Sequence, residues 1–227
     1  MKNNVYTSAI LNVFAVALVS ACAGGGSSSD EARSTYQTTP ASSNVAPIEM
    51  PRFAEAKSCV YEKTINGRKF MEQRSFASSA NNLLVWNVKK DGTVRGTIEL
   101  DAKTADVVKD YALANDQRIS FSPPYKWADF PISVGKTWES QSTVTGETFV
   151  SDINVKFAAL SSERVKVPAG EFDAIKVVAK ERIRSGSTSG SGTLTYWITS
   201  SGPCSVVKIT YTNTYSEKGQ ALLVASE

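Results

Sequence analysis

Histidine is absent from the 227 residues of this chain. Its absence excludes a Ser-His-Asp triad, a Cys-His dyad and a zinc site built on histidine ligands, because each of these needs an imidazole. Most familiar hydrolase mechanisms are excluded with them. We therefore expect a protein that is not an enzyme, with no catalytic residues, no metal and no cofactor.

Strong charge and long hydrophobic runs are also lacking. The formal net charge is only +3, and no block of lysine and arginine stands out that could follow a phosphate backbone. We therefore expect no nucleic-acid partner. The apolar run at residues 13–19 is far shorter than the roughly 20 residues that a membrane-spanning helix needs.

Residues 1–21 have the pattern of a signal peptide, in which a cation, Lys2, precedes the apolar run. The segment ends with Val19-Ser20-Ala21-Cys22. This ending resembles the lipobox of bacterial lipoproteins, where an aliphatic residue and two small residues precede the cysteine that receives diacylglycerol and becomes the new N-terminus. The alternative is an ordinary secretory signal followed by a chance cysteine.

The resemblance to lipoproteins implies a bacterial cell-envelope protein attached to a membrane through lipid on Cys22. Each buried methylene of an acyl chain adds about 0.8 kcal/mol to membrane binding, so several chains give a stable anchor. In Gram-negative lipoproteins an aspartate directly after the lipidated cysteine usually means retention at the inner membrane, and Ala23 occupies that position. We therefore expect the outer membrane, facing the periplasm, with export to the cell surface as the alternative.

The composition divides the chain into three regions. Residues 1–21 form the signal peptide, residues 22–50 a lipid-anchored flexible tether, and residues 51–227 a single β-rich domain. The tether begins with a Gly/Ser stretch at residues 24–29 and continues with polar residues. Such a segment has too little apolar content to build a core.

The two cysteines that lipidation would leave over are Cys59 and Cys204. In an oxidising compartment two such cysteines are expected to pair. The bond would tie the first predicted strand to one near the C-terminus. Two unpaired structural thiols are the alternative, because the sequence does not show whether the geometry allows a bond.

From Cys59 onward the sequence predicts short strands separated by turn residues. Asn66-Gly67 and Asp91-Gly92 each suit a two-residue hairpin turn. At residues 174–184 apolar side chains alternate with lysines and arginines, which is typical of an antiparallel sheet with one buried face. The prediction is a mainly β fold, an antiparallel meander that forms a curved sheet, half-barrel or barrel, with at most one or two short helices.

One segment favours a helix instead. Residues 102–114 place Ala105, Val108, Tyr111 and Ala112 on one face at helical spacing, and Asp101 precedes them as a candidate N-cap. The sequence therefore predicts a helix over residues 102–114.

Three segments of the second half carry a further resemblance. They are residues 130–138 (FPISVGKTW), residues 165–177 (VKVPAGEFDAIKV) and Tyr196-Trp197 followed by a turn and residues 206–208. Their order resembles a family of exported bacterial β-rich proteins of unknown function. The resemblance implies export and a β architecture and supplies no catalytic residues. Cys204 departs from the family's pattern, which has a Gly-rich turn without cysteine there.

These observations favour non-enzymatic binding of an apolar ligand or lipid in the concave face of the sheet. The aromatic residues that could line such a site are Trp86, Trp127, Trp138, Tyr196 and Trp197. One alternative is a structural or interaction module that docks onto an envelope protein through strand edges or the loop at residues 123–127. A carboxylate-dependent enzyme is a third hypothesis, but no spacing selects a pair among Asp106, Asp110, Asp129, Glu139, Glu147 and Asp152.

Overall fold

The computed structural model describes residues 46–53, 57–112, 117–202, 204–214 and 217–226. The expected signal peptide, Cys22 and most of the expected tether lie outside these residues. Among the described residues there is no helix long and apolar enough to cross a membrane.

Twelve antiparallel strands form a closed barrel. Each strand pairs with its neighbours in sequence, and the first strand pairs with the last to close the ring. The mainly β class and the antiparallel meander are therefore confirmed, and the barrel is the form that the meander takes. The strands are β1 (Ser58–Ile65), β2 (Arg68–Ala80), β3 (Leu83–Lys90), β4 (Thr93–Asp101), β5 (Val107–Ala112), β6 (Gln117–Tyr125), β7 (Thr137–Gly146), β8 (Val150–Val167), β9 (Gly170–Ser185), β10 (Thr188–Ile198), β11 (Val206–Asn213) and β12 (Lys218–Ser226).

Turn residues and alternation of side chains account for this meander. Asn66 and Gly67 have φ of 45° and 82°, and Asp91 and Gly92 have φ of 48° and 81°. Positive φ at both central residues is what a type I′ hairpin turn requires, so both predicted hairpins form. Along β7, in β8 up to Ala159 and in β9 from Ile175, every second side chain is buried inside the barrel, in agreement with the period of a strand.

The helix predicted over residues 102–114 is wrong. Asp101 does cap a turn, since its carboxylate accepts hydrogen bonds from the backbone N–H groups of Lys103 (2.8 Å) and Thr104 (3.0 Å). The chain then takes a positive φ of 62° at Ala105 and continues as β5, paired with β4 and β6. Pairing on both sides buries Val107 inside the barrel, and this tertiary gain outweighs a weak helical pattern.

At one end of the barrel, two links join segments that are distant in sequence. Cys59 on β1 and Cys204, just before β11, form a disulfide with Cα atoms 5.9 Å apart. At the same end Ile48 pairs with Ile132 through two backbone hydrogen bonds of 2.8 Å, and both side chains are buried. The chain is therefore already part of the fold at Ile48, inside the region expected to be tether.

Large side chains fill most of the barrel. Tyr125, Tyr196 and Phe157 are among the fully buried residues. The ring of Trp138 stacks on Phe157 at 5.0 Å with an interplanar angle of 5°. The hydrophobic core thus lies inside the ring of strands, and it leaves limited space for a ligand.

Candidate functional site

A partly open cavity of about 70 Å³ lies near the disulfide. We call it the barrel-end cavity. Most of its wall is apolar, and a small group of polar and charged side chains completes it. The lining residues are Phe53, Cys59, Tyr61, Lys63, Glu72, Arg74, Trp86, Ile98, Leu100, Trp127, Cys204, Ser205, Val206, Ile209 and Ala221.

Strand alternation brings the polar side chains to this cavity. Cys59, Tyr61 and Lys63 occupy every second position of β1, so all three point into the barrel. In the neighbouring strand the register sets Arg74 opposite Cys59 and Glu72 opposite Tyr61. The charged side chains of the cavity therefore come from the inward positions of two adjacent strands, β1 and β2.

Glu72 is the centre of a buried ion-pair network. Its Oε2 lies 2.6 Å from Nζ of Lys63, and its Oε1 accepts a hydrogen bond of 2.7 Å from Nε of Arg74. Burial alone would raise the pKa of Glu72, but the charges of Arg74 and Lys63 outweigh burial and hold that pKa below its usual value. Glu72 is therefore an ionised carboxylate between two cations.

Tyr61 forms a fixed wall beside this network. Its hydroxyl donates a hydrogen bond of 3.0 Å to the backbone carbonyl of Val206, and the guanidinium of Arg74 lies 5.7 Å from the centre of its ring. Burial raises the pKa of Tyr61 to about 12. The phenol therefore stays neutral and serves as a hydrogen-bond donor across the barrel.

Asp110 is a second buried carboxyl near the network. Its Oδ1 accepts a hydrogen bond of 2.7 Å from the backbone N–H of Tyr111. Burial raises the pKa of Asp110 to about 8 despite the opposing charge of Arg74. The carboxyl is therefore mainly protonated at pH 7, unlike Glu72.

Glu181 is a buried carboxyl in another part of the barrel. It follows Val177 and Ala179 at the inward positions of β9, and burial raises its pKa to about 8. Its Oε2 has no hydrogen-bond partner among the described residues. The sequence carried a signal for this residue, because alternation at residues 174–184 already places Glu181 on the apolar face.

Glu181 predicts a pH-dependent effect on stability. Its pKa is higher in the folded protein than in the unfolded chain, so the folded state loses stability as pH rises from about 4.5 to about 8. Glu181→Gln removes this loss and should therefore stabilise the protein by a few kcal/mol more at pH 8 than at pH 4.5. Urea unfolding at the two pH values measures the difference.

The control is Glu139→Gln, at a carboxylate whose side chain is 51% exposed. An equal effect of Glu181→Gln at pH 4.5 and pH 8 would show that Glu181 ionises in the folded protein as it does in the unfolded chain.

The five aromatic residues proposed as a ligand lining do not share one site. Trp86 and Trp127 line the barrel-end cavity, whereas Trp138 and Tyr196 are packed elsewhere in the core. Trp197 donates a hydrogen bond of 2.9 Å to Glu163 and lies near the ammonium groups of Lys208 (4.6 Å) and Lys176 (5.7 Å). Two of the five aromatics therefore meet at the cavity.

The carboxylates considered for acid–base chemistry are dispersed. Exposed or half-exposed ion pairs join Asp129 to Lys136 (2.9 Å), Glu139 to Lys156 (3.1 Å) and Asp152 to Arg184 (3.3 Å). None of the six candidates lines the barrel-end cavity, and Asp110 interacts with the charges of Arg74, Glu72 and Lys63 there. The carboxylate that does line the cavity, Glu72, was missed because the sequence gives no sign that its strand turns a charged side chain inward.

A wide groove of about 890 Å³ with both polar and apolar walls lies on strands β6 to β10. Its walls include Pro123, Asn154, Arg182 and Arg184. Arg184 is paired with Asp152, and both side chains are mainly exposed. The groove is open to solvent, and Ile153 and Ile183 also line it.

No protein-family model matches the chain, and no curated protein matches it. A protein from Parabacteroides distasonis, named provisionally as a lipoprotein, is similar in structure with a TM-score of 0.54 and 13% identity, covering 81% of this chain and 100% of that chain. A provisionally named exported protein with a YmcC-like fold from Bacteroides fragilis has a TM-score of 0.53 and 14% identity, with coverage of 80% and 100%.

The hypothetical lipoprotein YmcC from Escherichia coli is more distant, with a TM-score of 0.46, 10% identity and coverage of 75% and 87%. The Parabacteroides and Bacteroides proteins are 13% and 14% identical to this chain. At such low identity, the structural similarity shows a shared fold. That fold agrees with the β architecture implied by the three sequence segments.

Proposed function

We propose that this chain is a lipid-anchored protein of the bacterial cell envelope that binds a small, mainly apolar molecule in the barrel-end cavity without catalysing a reaction. The outer membrane, facing the periplasm, is the proposed location. The observation that carries the binding function is a partly open cavity with aromatic and aliphatic walls and a few polar groups, which is the usual composition of a small-molecule site.

The proposed location is supported by sequence and structure together. The lipobox-like segment ends at Cys22, and the disulfide between Cys59 and Cys204 suits an oxidising compartment. Two proteins of similar fold carry provisional names as a lipoprotein and as an exported protein. These names describe the similar proteins, and we extend them to this chain as part of the proposal.

The volume of the barrel-end cavity limits the ligand. Pockets for drug-sized molecules measure roughly 300–1,000 Å³, and an apolar cavity of about 150 Å³ holds benzene. A cavity of about 70 Å³ has room for a few non-hydrogen atoms. We therefore propose a small apolar ligand rather than a lipid, because an acyl chain would fit this cavity only if the barrel repacked.

An interaction module finds less support. The strands leave no open sheet edge within the described part of the chain, because β1 pairs with β12. Residues 123–125, expected to belong to a loop, are the end of β6. Tyr125 and Trp127 are buried, so the aromatic groups expected to contact a partner are not exposed.

Xenon tests the proposed function, because it enters small apolar cavities. We expect xenon to bind next to Trp86 in the unlipidated Cys22→Ala protein and to shift the NMR signals of Trp86, Ile98 and Val206. Ala221→Leu should abolish these shifts, since it adds bulk to the cavity wall. Absence of xenon from the unsubstituted cavity would contradict the proposal.

Native mass spectrometry of the same protein tests the size limit. We expect a mass without bound lipid. A co-purifying acyl lipid would contradict the limit set by the volume and restore lipid carriage as the function.

A further inference from the structure

We propose that the groove on strands β6 to β10 binds an extended acidic peptide segment of a partner protein, whose carboxylates are held by the guanidinium groups of Arg182 and Arg184. The groove and the barrel-end cavity share no lining residue. The inference therefore goes beyond the proposed function and does not depend on it.

The polar side chains of the groove form two adjacent rows across four strands. Arg182 and Arg184 point outwards from β9, because Glu181 and Ile183 at the alternate positions are buried. Neighbouring strands lie about 4.8 Å apart, so side chains in register are close neighbours. The register gives a first row of Gln141, Asn154, Arg182 and Ser191 and a second row of Thr143, Asp152, Arg184 and Ser189, all of which line the groove.

Arg182 carries a positive charge that no carboxylate of its row compensates. Its neighbours in that row, Asn154 and Ser191, are uncharged. Arg182 forms no ion pair within the described part of the chain. A guanidinium group presents five N–H donors in a planar fork that matches the two oxygens of a carboxylate. A carboxylate that enters the groove would therefore meet an exposed cation with donors to share.

Arg184 belongs to an exposed ion pair that leaves donors for a ligand. Its Nη2 donates a hydrogen bond of 3.3 Å to Oδ2 of Asp152, and the two side chains are 73% and 58% exposed. Thr143 donates a hydrogen bond of 3.2 Å to Oδ1 of the same carboxylate. Exposed ion pairs are weak, and this one engages only part of the guanidinium group. Arg184 can therefore bind a second carboxylate.

The spacing of the two arginines matches an extended peptide. Residues two positions apart on one strand have Cα atoms about 6.6 Å apart and point to the same side. Carboxylates at alternate positions of an extended peptide have the same spacing and direction. Such a peptide would engage both arginines, whereas a single small anion would engage one. The contact uses side chains on the outer face, so it needs no open strand edge.

The groove is distant from the segment that leads to the expected lipid anchor. Pro47 and Thr199 line one pocket at the disulfide end of the barrel, where Thr199 also bonds to Ser205. Thr199 follows Ser191 by eight residues along β10 and its end, a distance of about 26 Å at the rise of a strand. This separation favours a partner protein over the headgroups of the membrane that holds the anchor.

Three blocked pentapeptides test charge and spacing. They are Ser-Glu-Ser-Glu-Ser, its uncharged analogue Ser-Gln-Ser-Gln-Ser, and Ser-Glu-Glu-Ser-Ser with adjacent carboxylates. We expect the alternating glutamate peptide to bind the Cys22→Ala protein at least tenfold more tightly than the glutamine peptide and several-fold more tightly than the adjacent one. NMR titration of the side-chain amide signals of Gln141 and Asn154 measures the affinities. Equal binding of the glutamate and glutamine peptides would overturn the inference, and equal binding of the two glutamate peptides would contradict the matched spacing.

Arg182→Gln removes the unpaired cation of the groove. We expect at least a fivefold loss of affinity for the alternating glutamate peptide, with xenon uptake by the barrel-end cavity unchanged. Arg164→Gln is the matched control, because Arg164 is an exposed arginine paired with Glu171 outside the groove. It should have no effect. Unchanged peptide binding in Arg182→Gln would contradict the role of Arg182.

Asp152→Asn supplies a test that loss of folding cannot imitate. It removes the carboxylate that competes for Arg184 and keeps the shape of the side chain. We expect several-fold tighter binding of the alternating glutamate peptide than in the unsubstituted protein. Equal or weaker binding in the folded variant would remove Arg184 from the site.

Inorganic phosphate and vesicles of phosphatidylglycerol separate a peptide from other anions. We expect the peptide to bind more tightly than phosphate and to bind without vesicles. Phosphate binding as tight as that of the peptide would show a site for small anions only. Vesicle binding that requires Arg182, without peptide binding, would show contact with a membrane surface. Either result would overturn the inference, and neither would alter the xenon test of the proposed function.

Discussion

Replacing Glu72 with glutamine is expected to lower the free energy of unfolding by about 3–5 kcal/mol, because removing one partner of a buried ion pair leaves its counter-charge uncompensated. Lys63 is buried and has Glu72 as its partner at 2.6 Å. Arg74, whose Nε is bonded to Oε1 of Glu72, would also lose the negative charge of this partner. Urea unfolding at pH 7, followed by tryptophan fluorescence, measures the change.

The matched control is Glu62→Gln on the same strand pair. Glu62 forms an ion pair with Lys69, whose side chain is 66% exposed, and such surface pairs contribute about 0–1 kcal/mol. We therefore expect the two substitutions to differ by several-fold in their effect. A loss of less than about 1 kcal/mol from Glu72→Gln would mean that the cations near Glu72 do not depend on its charge.

The effect of Glu72→Gln should also depend on pH. The pKa of Glu72 is lower in the folded protein than its usual 4.5, so its stabilising contribution is present above that value and is lost as pH falls through the folded pKa. The difference between Glu72→Gln and the unsubstituted protein should therefore narrow in acid.

Removing the disulfide with Cys59→Ala and Cys204→Ala is expected to lower the free energy of unfolding by about 5 kcal/mol. The bond closes a loop with a sequence separation of 145 residues, and in the chain-entropy model a loop of this length restricts the unfolded chain by about that amount. The measurement is urea unfolding of the double variant beside the unsubstituted protein, both without reductant.

Cys22→Ala is the control, because it removes the cysteine expected to carry lipid and leaves the disulfide intact. Its free energy of unfolding should equal that of the unsubstituted protein without lipid, in which the disulfide is intact. Modification of both Cys59 and Cys204 by a thiol reagent in the native protein would contradict the bond and the expected loss.

Particular elements show why the β class was predictable and the helix was not. Asn-Gly and Asp-Gly at the hairpins and the alternation at residues 174–184 are local signals, and the strands around them form as predicted. Residues 102–114 had a weak helical pattern and no signal of comparable strength. Residues 107–112 form β5 because they pair with β4 and β6, and a local sequence pattern carries no information about that pairing.

Ligand contact by the five named aromatic residues stays a prediction, and the structure shows only where they lie. Trp86 and Trp127 were named as ligand-lining residues and do meet at the barrel-end cavity. Lys63 and Glu72 were missed. Lys63 alternates with Cys59, Tyr61 and Ile65 on one face of β1, which is a signal in the sequence, whereas the corresponding face of β2 mixes Phe70 with Glu72 and Arg74 and does not read as apolar. Their inward direction follows from the register that sets Tyr61 opposite Glu72.

The sequence by itself determined the mainly β class, the hairpin turns, the lack of histidine chemistry and the lipobox-like motif, since these depend on residue type and on neighbours a few positions away. Only the tertiary structure decided that the meander closes, which requires β1 to pair with β12 at the far end of the chain. It alone also decided the cavity, because the volume left inside a barrel depends on side chains that several strands contribute at the same depth.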